Sequence, residues 1–140
     1  MFIPIIATLV ILLALGLVVM VALDPGPSPQ DVAMAYERAW DHFDFVSLWT
    51  LSGDELRDGL RREEFVASKK AAYADQHSLG HLARNIEVEH AQVGRTVAAV
   101  QTRVDLRDGG VARNDLQLAK RAGRWVVVDY RLRSDAPPMT

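Results

Sequence analysis

The chain has 140 residues, and its 16 Lys and Arg against 18 Asp and Glu give a formal net charge of −2. Proteins whose main partner is nucleic acid carry a basic surface, so this balance argues against such a partner. Cysteine is absent, which excludes a disulfide framework, a thiolate metal site and a nucleophilic cysteine. Every charged side chain follows Leu23, and the remaining stretch of about 117 residues is long enough for one domain.

Residues 2–23 carry no charge, and Thr8 is their only clearly polar side chain. As a helix this run would extend roughly 33 Å, close to the ~30 Å hydrocarbon core of a bilayer. A cleavable signal peptide has a basic beginning, a shorter apolar core and a small-x-small exit, whereas a cut after Ala22 would put Met20 at position −3. We therefore predict that residues 1–23 are an uncleaved, single-pass signal anchor that contacts the lipid bilayer of the plasma membrane.

Residues 24–30, DPGPSPQ, contain three prolines and a glycine. This composition cannot continue a helix and predicts an extended linker between the anchor and the domain. Basic residues within about 15–20 residues of a span decide its orientation, but the first one here is Arg38. The linker, together with the family resemblance described below, favours a domain outside the cytoplasm.

Three helices are predicted next, at residues 31–43, 45–51 and 61–76, with a short turn between the last two. The first has an apolar face at steps of three and four, formed by Val32, Tyr36, Ala39, Trp40 and Phe43. Its N-cap is either Asp31 or Ser28.

From Leu82 the hydrophobic period changes to two, which predicts strands at residues 82–92, 95–106, 111–120 and 124–133. Short turns between consecutive strands indicate an antiparallel meander. The even-numbered positions carry most of the apolar side chains, and the odd-numbered positions carry most of the charges. We therefore expect Val128 and Trp40 to be buried, and Glu87 and Arg103 to be exposed.

Helices followed by antiparallel strands predict an α+β domain over residues 31–133, in which the helical segment packs on a curved four-stranded antiparallel sheet. Residues 134–140 have no periodicity and predict a flexible tail.

Three segments carry a family resemblance: YERAWDHFDFVSLWTLS in the first two helices, RREEF at the start of the third, and GRWVVVDYRL in the last strand. With the order of elements, they resemble the nuclear transport factor 2-like, cystatin-like superfamily. In particular, they look like the small membrane-tethered forms seen in actinobacteria and like the N-terminal domain of some penicillin-binding proteins. The resemblance covers about residues 30–133 and implies a curved sheet that wraps a helix into a cone with an apolar cavity.

Enzymes of that superfamily, such as ketosteroid isomerase, place carboxylates inside the cone as bases, with Tyr, Asp, Arg or Asn as partners. A desolvated carboxyl group with a raised pKa suits this task. In the present sequence, strand alternation assigns every strand carboxylate to the outer face. Asp41 and Asp44 remain as candidate catalytic acids, although both positions are also typical of a turn and a helix cap.

Alternation also assigns six polar residues to the inner face: Arg84, His90, Thr96, Thr102, Asn114 and Tyr130. Tyr36 is available from the first helix. Of these residues, the ones expected to line a ligand cavity are Tyr36, Arg84, His90, Thr102, Asn114 and Tyr130. Of these, His90 is the candidate base, with Tyr36 or Tyr130 as its partner. The alternative is a histidine that is satisfied by a backbone carbonyl.

Metal and cofactor sites are not expected. His77 and His81 have the four-residue spacing of zinc ligands on a helix, but Gly80 interrupts the helix and no Glu follows His77. The sequence also lacks a phosphate-binding glycine loop and a dinucleotide fingerprint.

Four apolar residues interrupt the charges of the outer sheet face: Val97, Ala99, Trp125 and Val127. An exposed Trp is a frequent anchor of protein interfaces, so these residues form a candidate partner surface, unless Trp125 belongs to the core. Two functions remain open. One is a non-catalytic accessory domain that binds a protein partner, a second copy of the chain or a lipid-like ligand near the membrane. The alternative is a small cavity enzyme of the isomerase or dehydratase type.

Overall fold

A computed structural model describes residues 2–76 and 80–133 of the chain. The first helix, α1, covers Phe2–Leu23, and its 22 residues include no charged side chain. Its stretch Phe2–Met20, with a mean hydropathy of 3.0, is long and apolar enough to cross a membrane. A signal sequence near the N-terminus has the same properties.

Three further helices follow: α2 at Pro29–Asp41, α3 at Phe45–Leu51 and α4 at Arg62–Ala72. Ser28 caps α2, because its side chain accepts a hydrogen bond from the Asp31 amide. The helix α2 ends two residues earlier than the apolar pattern predicts, and Phe43 adopts a left-handed conformation with φ of 51°. A 3₁₀ turn at Asp54–Leu56 connects α3 with α4.

Four antiparallel strands form one sheet in the order β1-β2-β3-β4, as the sequence predicts. The strands are β1 at Ala83–Val93, β2 at Val97–Leu106, β3 at Val111–Arg121 and β4 at Arg124–Leu132. Helices α2 and α3 pack on one face of this curved sheet, and α4 packs against α3. The predicted α+β class is confirmed. In β2 and β3 the even-numbered positions face the helices, and their buried residues are Ala98, Val100, Thr102, Val104, Asn114, Leu116 and Leu118.

The alternation fails in β4, where a bulge interrupts the pairing with β3. Gln117 pairs with Asp129, and the next residue, Leu118, pairs with Val127. Val128 is therefore the extra residue of the bulge and has no partner in the β3 register. Such a bulge reverses the faces of all residues beyond it. Val127 is therefore fully buried, and Trp125 packs against the core, whereas Val128 is only half-buried. The predictions that Val128 is a core residue and that Val127 and Trp125 lie on the outer face are wrong.

A second irregularity displaces His90 in β1. Val88 pairs with Thr102 and His90 with Gln101, so Glu89 is the extra residue and His90 moves to the outer face, where it is exposed. Arg84 likewise falls at a register shift and is exposed. The inner-face prediction is thus wrong for both residues.

The core lies between α2, α3, α4 and the inner sheet face. Its largest fully buried side chains are Leu48, Val100, Leu116, Leu118 and Val127. Trp40 packs against this core without being fully buried. Glu87 is exposed as expected, and Arg103 is partly exposed.

Candidate functional site

The candidate site is a buried carboxylate, Glu37, which projects from α2 onto the inner face of the sheet. It is 5% exposed, and among the described residues 2–76 and 80–133 it is the one charged side chain in the buried core. Thr102 Oγ1 donates a hydrogen bond of 2.7 Å to Glu37 Oε1. Asn114 Nδ2 donates to the same oxygen at 2.8 Å, and the Tyr130 hydroxyl donates to Oε2 at 2.9 Å.

The sheet register brings these three donors together. Thr102 on β2 pairs directly with Asn114 on β3, and Tyr130 on β4 lies beside Leu116, two positions further along β3. Asn114 Nδ2 also lies 3.0 Å from the Tyr130 hydroxyl, which links the donors to each other. Three neighbouring strands therefore hold one carboxylate of α2. We call Glu37, Thr102, Asn114 and Tyr130 the Glu37 network.

Two phenols at the network, those of Tyr130 and Tyr36, have raised pKa values and therefore stay protonated. Burial raises the pKa of Tyr130 far above its ordinary value, and the negative charge of Glu37 raises this pKa further. Burial also raises the pKa of Tyr36, whose ring meets Tyr130 edge-on with 5.0 Å between the centroids. A neutral phenol can donate a hydrogen bond, and the Tyr130 hydroxyl donates to Glu37 Oε2.

The network leaves little room for a substrate. Both oxygens of Glu37 already have partners, so a substrate would have to displace Asn114, Thr102 or Tyr130 to reach them. Two clefts open away from the Glu37 network. One of about 480 Å³ runs between α2 and α3, and one of about 510 Å³ lies near Tyr73 and His81. Neither of these two is lined by Glu37.

Sequence reasoning found the donors of this network but missed the acceptor. Tyr36, Thr102, Asn114 and Tyr130 lie together on the inner face as predicted, whereas the interior is not free of acids. Glu37 stands four residues after the buried Ala33 on the same helix face, so the helical spacing is compatible with its burial but does not require it. Strand alternation says nothing about acids on α2, and Glu37 lies on that helix.

The predicted catalytic acids lie outside the interior. Asp44 caps α3, since its carboxylate accepts hydrogen bonds from the amide and hydroxyl of Ser47. Asp41 Oδ1 accepts a hydrogen bond of 2.9 Å from the Ala83 amide at the start of β1. Both residues thus have the turn and cap positions that the sequence analysis named as their alternative.

The predicted partner surface is divided by the bulge in β4. Val97 remains exposed at 63%, and Ala99 is partly exposed, but Trp125 and Val127 face the core. The outer face also carries ion pairs, such as Arg103 with Asp105 at 2.8 Å and Arg133 with Asp115 at 2.9 Å. The Arg103 guanidinium lowers the pKa of Asp105 by hydrogen bonding.

Comparison with solved structures identifies the fold. The crystal structure of an NTF2-like protein from Campylobacter jejuni matches with a TM-score of 0.51 and 18% identity, over 72% of this chain and 97% of that one. The solution structure of a SEC-C motif-containing protein from Rhodopseudomonas palustris has a TM-score of 0.55 and 17% identity, over 76% of this chain and 80% of that one. No protein-family model and no curated protein matches the sequence. The domain thus has the fold of NTF2-like proteins, and the likeness to membrane-tethered actinobacterial forms stays a prediction.

Proposed function

We propose that this chain is a single-pass membrane protein whose NTF2-like domain is a non-catalytic accessory domain that binds a protein partner near the membrane. The observation that carries the proposal is the hydrogen bonding of Glu37, whose two oxygens are both bound by side chains of the sheet. A general base must reach a proton of its substrate. A carboxylate that accepts three internal hydrogen bonds instead ties a helix to a sheet.

The membrane part of the proposal is supported by the length and composition of α1, an apolar helix without a charge. A cut after Ala22 would put Met20 at position −3, where signal peptidases require a small residue, and this favours an anchor over a cleaved signal peptide. We place the domain outside the cytoplasm. Alkaline phosphatase fused after Thr140 should then be active, and an intact but inactive fusion would reverse this orientation.

A partner surface is supported at the end of the β1–β2 hairpin. Val93 and Val97 are exposed at 52% and 63%, and with Ala99 they line a shallow cleft of about 320 Å³. Exposed apolar groups that lie together commonly mark interaction sites. The side chains of Val100, Leu116, Leu118 and Val127 are fully buried between the helices and the sheet. The proposal therefore commits to a protein partner at the exposed hairpin rather than to a lipid-like ligand in the interior.

Site-specific photocrosslinking in native membranes tests the partner surface. A photoreactive amino acid at Val97 of the full-length chain should give one discrete adduct, and an added Val93→Glu substitution should abolish it. The same probe at Arg131, whose side chain is 78% exposed on β4, is the matched control and should give none. An adduct of twice the chain's mass would identify the partner as a second copy. No adduct from Val97, or identical adducts from both positions, would refute the proposal.

A second candidate function is favoured by one observation. The Glu37 network combines a buried carboxylate with Tyr and Asn, the arrangement that the family resemblance ascribes to cavity enzymes. Glu37 would then be the base of an isomerase or dehydratase, and Tyr130 its hydrogen-bonding partner. Native mass spectrometry of the full-length protein discriminates the two functions, because a small molecule bound to the wild type and lost in Glu37→Gln would favour the enzyme.

A further inference from the structure

Three metal-ligating side chains converge where α2 ends and β1 begins. One oxygen of Asp41 and one ring nitrogen each of His42 and His81 all lie within 4.8 Å of one another. The two imidazole rings are 4.5 Å apart between centroids, and His42 Nε2 lies 3.7 Å from Asp41 Oδ2. Sequence spacing had paired His81 with His77, which lies outside the described residues.

The backbone holds these residues in place. The His81 amide donates a hydrogen bond of 2.7 Å to the Asp41 carbonyl, so residues 40 positions apart in the chain are fixed against each other. His81 adopts a left-handed conformation with φ of 60°, which non-glycine residues seldom adopt without a local constraint. His42 is the C-cap of α2 and donates its amide to the Arg38 carbonyl at 2.9 Å.

The Asp41 carboxylate is oriented by a second contact. Its Oδ1 accepts the Ala83 amide at 2.9 Å, which leaves Oδ2 on the side of His42. Metal-binding carboxylates are typically positioned in this way, by a hydrogen bond to the oxygen that does not ligate. The Asp41 side chain is 13% exposed and that of His42 is 58% exposed, so one ligand is fixed while another remains free to rotate.

From this geometry we propose that Asp41, His42 and His81 form a binding site for a divalent transition-metal ion of the zinc type. Two imidazoles and one carboxylate are a common set of three protein ligands for zinc, with a fourth position left for water or another ligand. Tetrahedral zinc with ligands at about 2.0–2.2 Å spaces neighbouring ligand atoms by roughly 3.4 Å. The three ligand atoms, now within 4.8 Å of one another, would have to approach by roughly 1 Å to reach this spacing. Rotation about the side-chain torsions is sufficient for a movement of this size.

The surroundings set the affinity that we expect. A cleft of about 380 Å³ beside Asp41 and His42 is also lined by Arg38 and Arg84, and Lys70 lines the neighbouring cleft. These basic side chains disfavour a cation, and the carboxylate of Asp41 offsets them. The site is therefore reachable from solvent and of moderate affinity, which distinguishes it from the buried zinc sites that stabilise a fold.

Cobalt titration of the full-length protein in detergent micelles, purified without a histidine tag, tests the site. One Co²⁺ per chain should give the visible absorption of tetrahedral cobalt, and Zn²⁺ should displace it. We expect His42→Ala and His81→Ala each to weaken binding by about tenfold or more, and Asp41→Asn to weaken it while its amide oxygen still accepts the Ala83 amide. Circular dichroism checks that each variant is folded.

His90→Ala is the matched control, because His90 is an exposed histidine on the outer face of the sheet. It should bind cobalt and zinc like the wild type. Absence of the tetrahedral cobalt spectrum, wild-type binding by folded His42→Ala and His81→Ala, or an equal loss in His90→Ala would each overturn the proposal. In that case the contact of His42 with His81 is only a packing contact between two tilted rings.

Discussion

Thr102 on β2 and Glu37 on α2, which are 65 residues apart in the sequence, share a hydrogen bond of 2.7 Å inside the core. Asn114 and Tyr130 complete the same network from the next two strands. A buried polar network is stabilising only when every member has a partner, and each incorrect register of α2 on the sheet would leave several of these groups unpaired. The network thus fixes how the helix lies on the sheet.

Replacing Glu37 with Ala should destabilise the domain by roughly 3 kcal/mol, because it leaves buried donors of Thr102, Asn114 and Tyr130 without an acceptor. Glu37→Gln keeps an acceptor oxygen and should cost about 1 kcal/mol. Urea unfolding of the full-length protein in detergent, followed by Trp fluorescence, measures both. The exposed Glu87→Ala is the control and should stay within about 0.5 kcal/mol of the wild type. A Glu37→Ala variant as stable as this control would show that the network is not structural.

The bulge in β4 makes opposite predictions for two adjacent valines. Val127→Asp should unfold the domain, because a buried unpaired charge costs several kcal/mol against a total stability of roughly 5–15 kcal/mol. Val128→Asp should be tolerated better, since Val128 is half-buried. Circular dichroism and thermal unfolding of the two variants compare them. If Val128→Asp proves the more damaging substitution, β4 has the unbroken alternation that the sequence predicts.

Alkaline pH should destabilise the domain through its buried phenols. The pKa of Tyr130 is raised by burial and by the charge of Glu37, and burial raises the pKa of Tyr36. Tyrosine in the unfolded chain titrates near pH 10. Above about pH 10 the unfolded state therefore loses protons that the folded state retains, and stability, fully present below this pH, falls as the pH rises.

The melting temperature at about pH 8 and pH 11 measures this loss. Tyr130→Phe should lower stability at neutral pH but reduce the further loss at high pH. Tyr73→Phe, at a tyrosine outside the Glu37 network, is the control and should show the wild-type dependence. An unchanged alkaline loss in Tyr130→Phe would contradict the assignment to this phenol.

The part of the fold that depends on periodicity could be predicted from the sequence, and the part that depends on tertiary contacts could not. Alternation placed Val100, Leu116 and Asn114 correctly, because β2 and β3 pair without interruption. It misplaced His90 and Val127, because a bulge adds one residue and reverses the faces beyond it. No residue pattern in the sequence of β1 or β4 predicts these bulges.

The candidate site shows the same division. Thr102, Asn114 and Tyr130 could be assigned to the interior from strand parity alone. Burial of Glu37 could not, because an ionised side chain enters a core only when partners from other elements satisfy it, and those partners lie on three strands 65 or more residues away. Thr102, Asn114 and Tyr130 can each donate and accept hydrogen bonds, so their presence on the predicted inner face does not by itself reveal a buried acid.

The proposal that α1 is a membrane anchor predicts how the chain behaves in membranes. An anchor helix would insert in the hydrocarbon core, so we expect the full-length protein to remain in the membrane pellet after carbonate extraction. A variant that lacks residues 2–23 is the control and should be released into the soluble fraction. Release of the full-length chain, or recovery of a shortened chain that begins near Asp24, would show that α1 is a cleaved or peripheral segment.

The central claim is that the hairpin surface around Val97 binds a protein partner, whereas the interior carboxylate of Glu37 stabilises the fold. The most direct measurement is the yield of the Val97 photoadduct in native membranes when the same chain carries Glu37→Gln. Our account predicts a yield equal to that of wild-type Glu37, because the amide keeps the helix on the sheet and leaves the hairpin surface unchanged. Loss of the adduct in a Glu37→Gln protein that is still folded would contradict the account, since it would mean that the interior carboxylate takes part in binding.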